Sequence, residues 1–181
     1  MMKKLSLAIA LLIAVTASAE DVSSKVLDAD SAYKAMLTLE GTWKGDSNVV
    51  PVGKLMEEGT KSETTVTYRN IANGSSIMAT FLADTPMEMV SMYHQDGTDT
   101  LIHTHYCAAG NQPSMKFSKV QEEGVINFDF DKGTNMDVTK DGHAHSGTLK
   151  IIDEDTFETR SELWRDGKVN SIRYTKMKRH K

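Results

Sequence analysis

From Thr42 onward, polar and apolar residues alternate with a period of two, and turn-forming residues interrupt the alternation at intervals. Successive side chains of a strand leave opposite faces, so this pattern marks strands with one wet and one dry side. In 63–69, Glu63, Thr65, Thr67 and Arg69 fall on one side and Thr64, Val66 and Tyr68 on the other. In 157–163, Glu158, Arg160 and Glu162 face water. In 143–152, Thr148 and Lys150 mark the outer face, which predicts His143, His145, Gly147, Leu149 and Ile151 on the inner one. Asn73-Gly74, Asp96-Gly97, Glu123-Gly124, Asp141-Gly142 and Asp166-Gly167 are hairpin candidates, because tight two-residue turns need positive φ and glycine adopts it readily. With looser breaks at 84–86, 108–114, 132–135 and 153–155, a turn recurs about every 10 to 13 residues. The spacing predicts about ten strands, near residues 42–50, 61–71, 75–82, 87–94, 100–107, 115–122, 125–130, 143–152, 156–165 and 168–178.

A meander of half-buried strands removes its exposed edges most simply by closing on itself. The expected fold class is all-β: a single antiparallel up-and-down (meander) β-barrel of about ten strands with a short N-terminal helix. Asp30-Ser31 can cap that helix, and Ala32, Ala35, Met36 and Leu39 recur at helical spacing before Gly41 stops it.

The first residues change the expected compartment. Met1 to Lys4 are basic, Leu5 to Val15 are apolar, and Ala17-Ser18-Ala19 is a small-residue cleavage pattern. This reads as a secretory signal peptide, too short for a stable membrane span. No cysteine follows the cleavage point, so nothing points to a lipid anchor. The expected organisation is a signal peptide over 1–19, a lead-in with the short helix over 20–40, and a barrel domain over 41–181. A periplasmic or secreted location follows. No later apolar run is long enough to span a membrane. The formal charge is −4 for the full chain and −6 once Lys3 and Lys4 leave with the signal. Nucleic acid is excluded as the partner, because phosphate binding needs a basic face. A single cysteine, Cys107, forms no internal disulfide.

Gly41-Thr42-Trp43, following a short helix and opening the first strand, resembles the G-x-W signature of the lipocalin and calycin barrels. The resemblance implies that Trp43 plugs the closed end and that an arginine late in the final strand packs across its ring. Arg173 is the match for that role, with Arg179 behind it. The disulfides of many secreted lipocalins are absent. Thr104-His105-Tyr106-Cys107, followed by Gly110-Asn111-Gln112-Pro113, resembles a set of exported bacterial proteins of similar size. That likeness implies a barrel and carries no activity.

The candidate chemistry is concentrated between Leu101 and Pro113. His103 and His105 are two apart on a strand, so both leave the same face, with Cα atoms about 6.6 Å apart. Neutral imidazoles at that spacing can chelate one ion. Cys107 extends the row, and His143-Ala144-His145 repeats it on a later strand. His103, His105, His143 and His145 converging in one cavity would suit a metal or haem. The two pairs are three strands apart, so opposite walls are the competing arrangement. Gly97 and His103-Thr104-His105 match the opening of a cupin metal motif, but Ala109 and Gly110 stand where its carboxylate belongs. Cys107 beside His105, with Asn111 nearby, suggests thiol catalysis, although neighbours on one strand rarely align sulfur and imidazole. A free cysteine in a β core is ordinarily a small hydrophobe. No G-x-S-x-G or phosphate-cradling loop is present.

Few aromatics, 7% of the chain, and several methionines in the strands suggest an interior that is not packed solid. The leading expectation is a non-enzymatic exported barrel that binds a small, mostly apolar molecule. Met89, Tyr93, His103, His105, His143 and His145 would line the pocket, with Asn111 and Gln112 at its mouth. The alternative is a metal- or haem-binding protein or enzyme built on the paired histidines. The third is an interaction domain without a small-molecule site.

Overall fold

The computed structural model describes residues 22–181; the signal sequence expected over 1–19 lies outside the described residues. Among the described residues, helix α1 (Ala29–Leu37) precedes ten strands: β1 (Gly41–Pro51), β2 (Thr60–Ile71), β3 (Ser76–Phe81), β4 (Met89–Asp96), β5 (Thr100–Tyr106), β6 (Gln112–Ser118), β7 (Val125–Thr134), β8 (His143–Asp153), β9 (Thr156–Arg165) and β10 (Lys168–His180). Each strand pairs antiparallel with the next, and β1 also pairs with β10, so the sheet closes and no edge is left free. Lipocalin barrels close on eight strands, whereas this one closes on ten.

Alternation puts the apolar side of each strand inward. Val66 and Tyr68 of β2, Ile77 and Ala79 of β3, Phe128 of β7 and Phe157 of β9 are buried together in one core. The outer face carries charge. Asp46, Lys176, Glu158 and Lys150 are successive cross-strand partners on β1, β10, β9 and β8, forming a row of alternating sign. An apolar interior behind a charged exterior is the reverse of an outer-membrane barrel. No helix among the described residues is long and apolar enough to cross a membrane.

The closed end is built by α1 and Trp43. The helix begins two residues earlier than its sequence signal suggests: Asp28 is the N-cap, and its carboxylate accepts from Ser31 N at 2.8 Å. It ends at Leu37, capped by Thr38 rather than by Gly41. Ala29, Ala32, Tyr33, Ala35 and Met36 are buried against the barrel, and the Tyr33 hydroxyl donates to Gly74 O at 2.8 Å. Trp43 is fully buried, donates Nε1–H to Leu39 O at 2.7 Å and meets Phe157 edge-on at 4.7 Å.

The arginine over that ring is Arg179, not Arg173. The Arg179 Cζ lies 4.2 Å from the Trp43 ring centroid. Its guanidinium donates to Thr38 O, Glu40 O and Glu154 O at 3.0, 2.7 and 3.0 Å. The β1–β10 register decides this, because Trp43 stands directly across from Arg179 while Arg173 stands across from Val49. Gly41, at φ +122, lies where a Cβ would come within 3.2 Å of Arg179 Nη1, so the close approach of arginine and backbone depends on glycine there.

At the opposite, open end, two turn expectations change. Gln112 and Pro113 open β6 instead of belonging to the loop, and β7 runs on to Thr134. Asp141-Gly142 is not a tight hairpin turn. It ends a longer loop between β7 and β8, and Gly142 does not take positive φ.

Candidate functional site

The barrel encloses a cavity of ≈ 150 Å³. Its floor, toward the closed end, includes Met36, Phe157 and Met177; Tyr68, Tyr93, His103, Phe128 and Leu149 surround its middle. Met89, Ser91, His105, Leu163 and Arg173 complete it on the open side. A second recess of ≈ 250 Å³ lies at the open end and shares Met89, His105, Ala144, Leu163 and Arg173 with the cavity, adding Cys107, His143 and Arg165 among others. Together the two reach the size of ordinary small-molecule sites, about 300–1,000 Å³.

Met89, Tyr93, His103 and His105 all line the cavity, as the alternation of β4 and β5 requires. Ser91 faces His105 across the β4–β5 ladder and Tyr93 faces His103. The Ser91 hydroxyl therefore sits between the two imidazoles, 2.9 Å from His103 Nε2 and 3.0 Å from His105 Nδ1. One hydroxyl can donate to one nitrogen and accept from the other. His103 stacks on Tyr93 at 4.3 Å and meets Phe128 edge-on at 5.3 Å. Burial among these rings opposes a charged imidazole and pulls His103 down to about 3, helped by His105. Burial, with the Arg173 charge nearby, pulls His105 down to about 4. Both are neutral at pH 7. Burial raises the Tyr93 and Tyr68 hydroxyls.

His143 and His145 do not join them. The register shift between Ala144 and Ser146 breaks the alternation of β8, so Ala144 lines the cavity in their place. The β7–β8 ladder stops at Phe128–Gly147. Beyond it, His145 stacks on Phe130 at 4.4 Å and on Trp164 at 3.7 Å. His143 donates or accepts at 3.0 Å with His145 Nδ1 and borders only the outer recess. The four histidines thus form two separate pairs and cannot share an ion. Among the described residues, no group of three or more His, Cys, Asp or Glu side chains is close enough to hold a metal. The two inner nitrogens converge on a hydroxyl, not on open space. The inner cavity alone, at ≈ 150 Å³, takes a molecule the size of benzene.

Asn111 and Gln112 stand at the open end, but their donors are engaged in holding loops. Asn111 is buried and donates to Gly142 O at 2.9 Å. Gln112 donates to Gly110 O at 2.9 Å and accepts from Thr134 Oγ1 at 3.0 Å. Asn135 reaches the same Gly110 carbonyl at 2.5 Å. These amides tie the β5–β6 and β7–β8 connections together at the rim. Cys107 is half-buried, with its sulfur 4.0 Å from Met89 Sδ. Among the described residues no hydrogen bond joins its sulfur to the His105 ring, although both border the recess.

Sequence reasoning did not select two polar residues of the site. Ser91 lies between Met89 and Tyr93 on the same alternating face, so its inward position was readable, but its bridging role needed the β4–β5 register. Arg173 shares its face with Thr175, Met177 and Arg179. Only the pairing with β1 separates the arginine that plugs from the arginine that lines.

The sequence matches no protein-family model and no curated protein. The fold is similar to that of Rv2717c from M. tuberculosis, at 14% identity and a TM-score of 0.62, over 83% of this chain and 98% of that one. It is also similar to a protein of unknown function from the DUF3598 family of Nostoc punctiforme PCC 73102, at 14% identity and a TM-score of 0.56, over 80% of this chain. This chain spans about half of that protein, 49% of its length. At such identities the likeness is one of fold.

Proposed function

We propose that this protein is an exported, non-enzymatic barrel that holds a small, mostly apolar molecule in its interior. The observation that carries the reading is the ≈ 150 Å³ cavity inside a closed sheet, continuous in its lining with a recess at the open end. Its walls combine methionine, aromatic and aliphatic side chains, which adapt to apolar shapes, with serine and threonine hydroxyls such as Thr64, Ser146, Thr159 and Ser161. The histidines that face it are neutral, so they add polarity without a second charge. Export rests on the basic, apolar and Ala-Ser-Ala pattern of residues 1–19.

Native mass spectrometry of the full chain recovered from its own cell envelope tests both parts. The expected result is a chain beginning at Glu20 that carries one small organic molecule, and a Leu149→Trp variant, which fills the cavity, that carries none. A bare chain that also fails to bind a neutral apolar dye such as N-phenyl-1-naphthylamine at one-to-one stoichiometry would sink the interior-binding reading. A retained signal segment would sink export.

A further inference from the structure

Among the described residues, neither the cavity nor the recess has an aspartate or glutamate in its lining, yet Arg173 borders both. Its Nε is sealed from solvent and has no hydrogen-bond partner among the described residues. The ionisable groups that act on it, or on which it acts, are the Cys107 thiol and His105, neither of them a carboxylate. The guanidinium keeps its proton in proteins and offers five N–H donors in a planar fork. With His103 and His105 neutral, this is the one full charge lining the inner cavity among the described residues; Arg165 lines the outer recess alone. A buried donor without a partner is a standing cost, and Arg179, six residues on, shows the contrast: it donates to three carbonyls, lies over a ring and has the Asp155 carboxylate at 3.4 Å.

Position adds direction. Arg173 belongs to the open side, where cavity and recess meet, whereas Met36, Phe157 and Met177 form an apolar floor. We propose that the molecule held here is a monocarboxylate with an apolar tail, its head on Arg173 and its tail pointing to the closed end. This rests on the interior-binding reading above and names the chemistry of its ligand. A carboxylate matches a guanidinium through two parallel N–H···O bonds. One cation balances one negative charge, whereas a phosphate monoester carries close to two at pH 7. The benzene-sized cavity accepts a ring or a short chain, and a few methylenes carry the head back to the arginine.

The test compares two probes of one shape, 4-phenylbutyrate and 4-phenylbutan-1-ol, by isothermal titration at pH 7 on the full mature chain. Wild type is expected to bind the acid at least tenfold more tightly than the alcohol. Arg173→Met should erase that preference by weakening the acid at least tenfold while leaving the alcohol unchanged, and Arg173→Lys should restore part of it. The wild-type comparison stands by itself should Arg173→Met fold poorly. If wild type binds the alcohol as well as the acid, the anionic head is wrong and the apolar site survives. If it binds neither, the interior-binding reading fails as well.

Discussion

Acid should destabilise this barrel through the two histidines that face its interior. In an unfolded chain each titrates near 6.5, while in the folded protein His103 is held to about 3 and His105 to about 4. Both folded values lie below the unfolded one, so the unfolded chain takes up the protons first. Their contribution is therefore fully present above about pH 6.5 and is lost progressively down to about pH 4 for His105 and about pH 3 for His103. Each pKa unit is about 1.36 kcal/mol. At pH 5, about 1.5 units below the unfolded value, each histidine costs about 2 kcal/mol and the pair about 4 kcal/mol. That is a large share of a typical folding free energy of about 5–15 kcal/mol. Urea unfolding of wild type and of a His103→Gln/His105→Gln variant, each at pH 7 and pH 5, isolates the effect, because the carboxylates titrate in both proteins. Wild type should lose about 4 kcal/mol more than the variant over that interval. Equal losses would refute the account, and so would a His103 imidazole resonance that titrates near pH 6 in the folded protein.

Other substitutions probe the remaining parts. Arg179→Met removes three charge-assisted hydrogen bonds and the cation–π contact over Trp43, and should cost about 2–4 kcal/mol in thermal or urea unfolding; Arg173→Met should cost nothing or stabilise, and the opposite ranking would return Arg173 to the plug. Gly41→Ala forces a side chain into φ +122 against Arg179 and should cost about 1–3 kcal/mol, with a wild-type melting curve counting against that strain. Ser91→Ala leaves two buried imidazole nitrogens without their shared hydroxyl and should cost about 1–3 kcal/mol, which calorimetry would reveal as a lowered melting temperature; an unchanged one would mean the bridge carries no stability.

Much of this architecture was legible in the chain itself. Alternation in β2, in β9 and in β8 from Gly147 onward, and the positive-φ glycines at Gly74, Gly97, Gly124 and Gly167, are local properties, although of those turns only Asp166-Gly167 is the two-residue hairpin expected, the other connections being longer. They were enough to predict a ten-stranded meander, its closure, the helix before Trp43, and the common face of His103 and His105. Tertiary pairing decided what local pattern could not. Which of two arginines on one face of β10 meets Trp43 is a matter of register with β1, a strand more than a hundred residues away in sequence. Whether His143 and His145 follow Gly147 inward depends on one register shift against β9. Whether Asn111 and Gln112 are free for a ligand depends on loops that only the closed barrel brings beside them. A period of two fixes a face only relative to its own strand; hydrogen-bond register between distant strands determines which side chains meet.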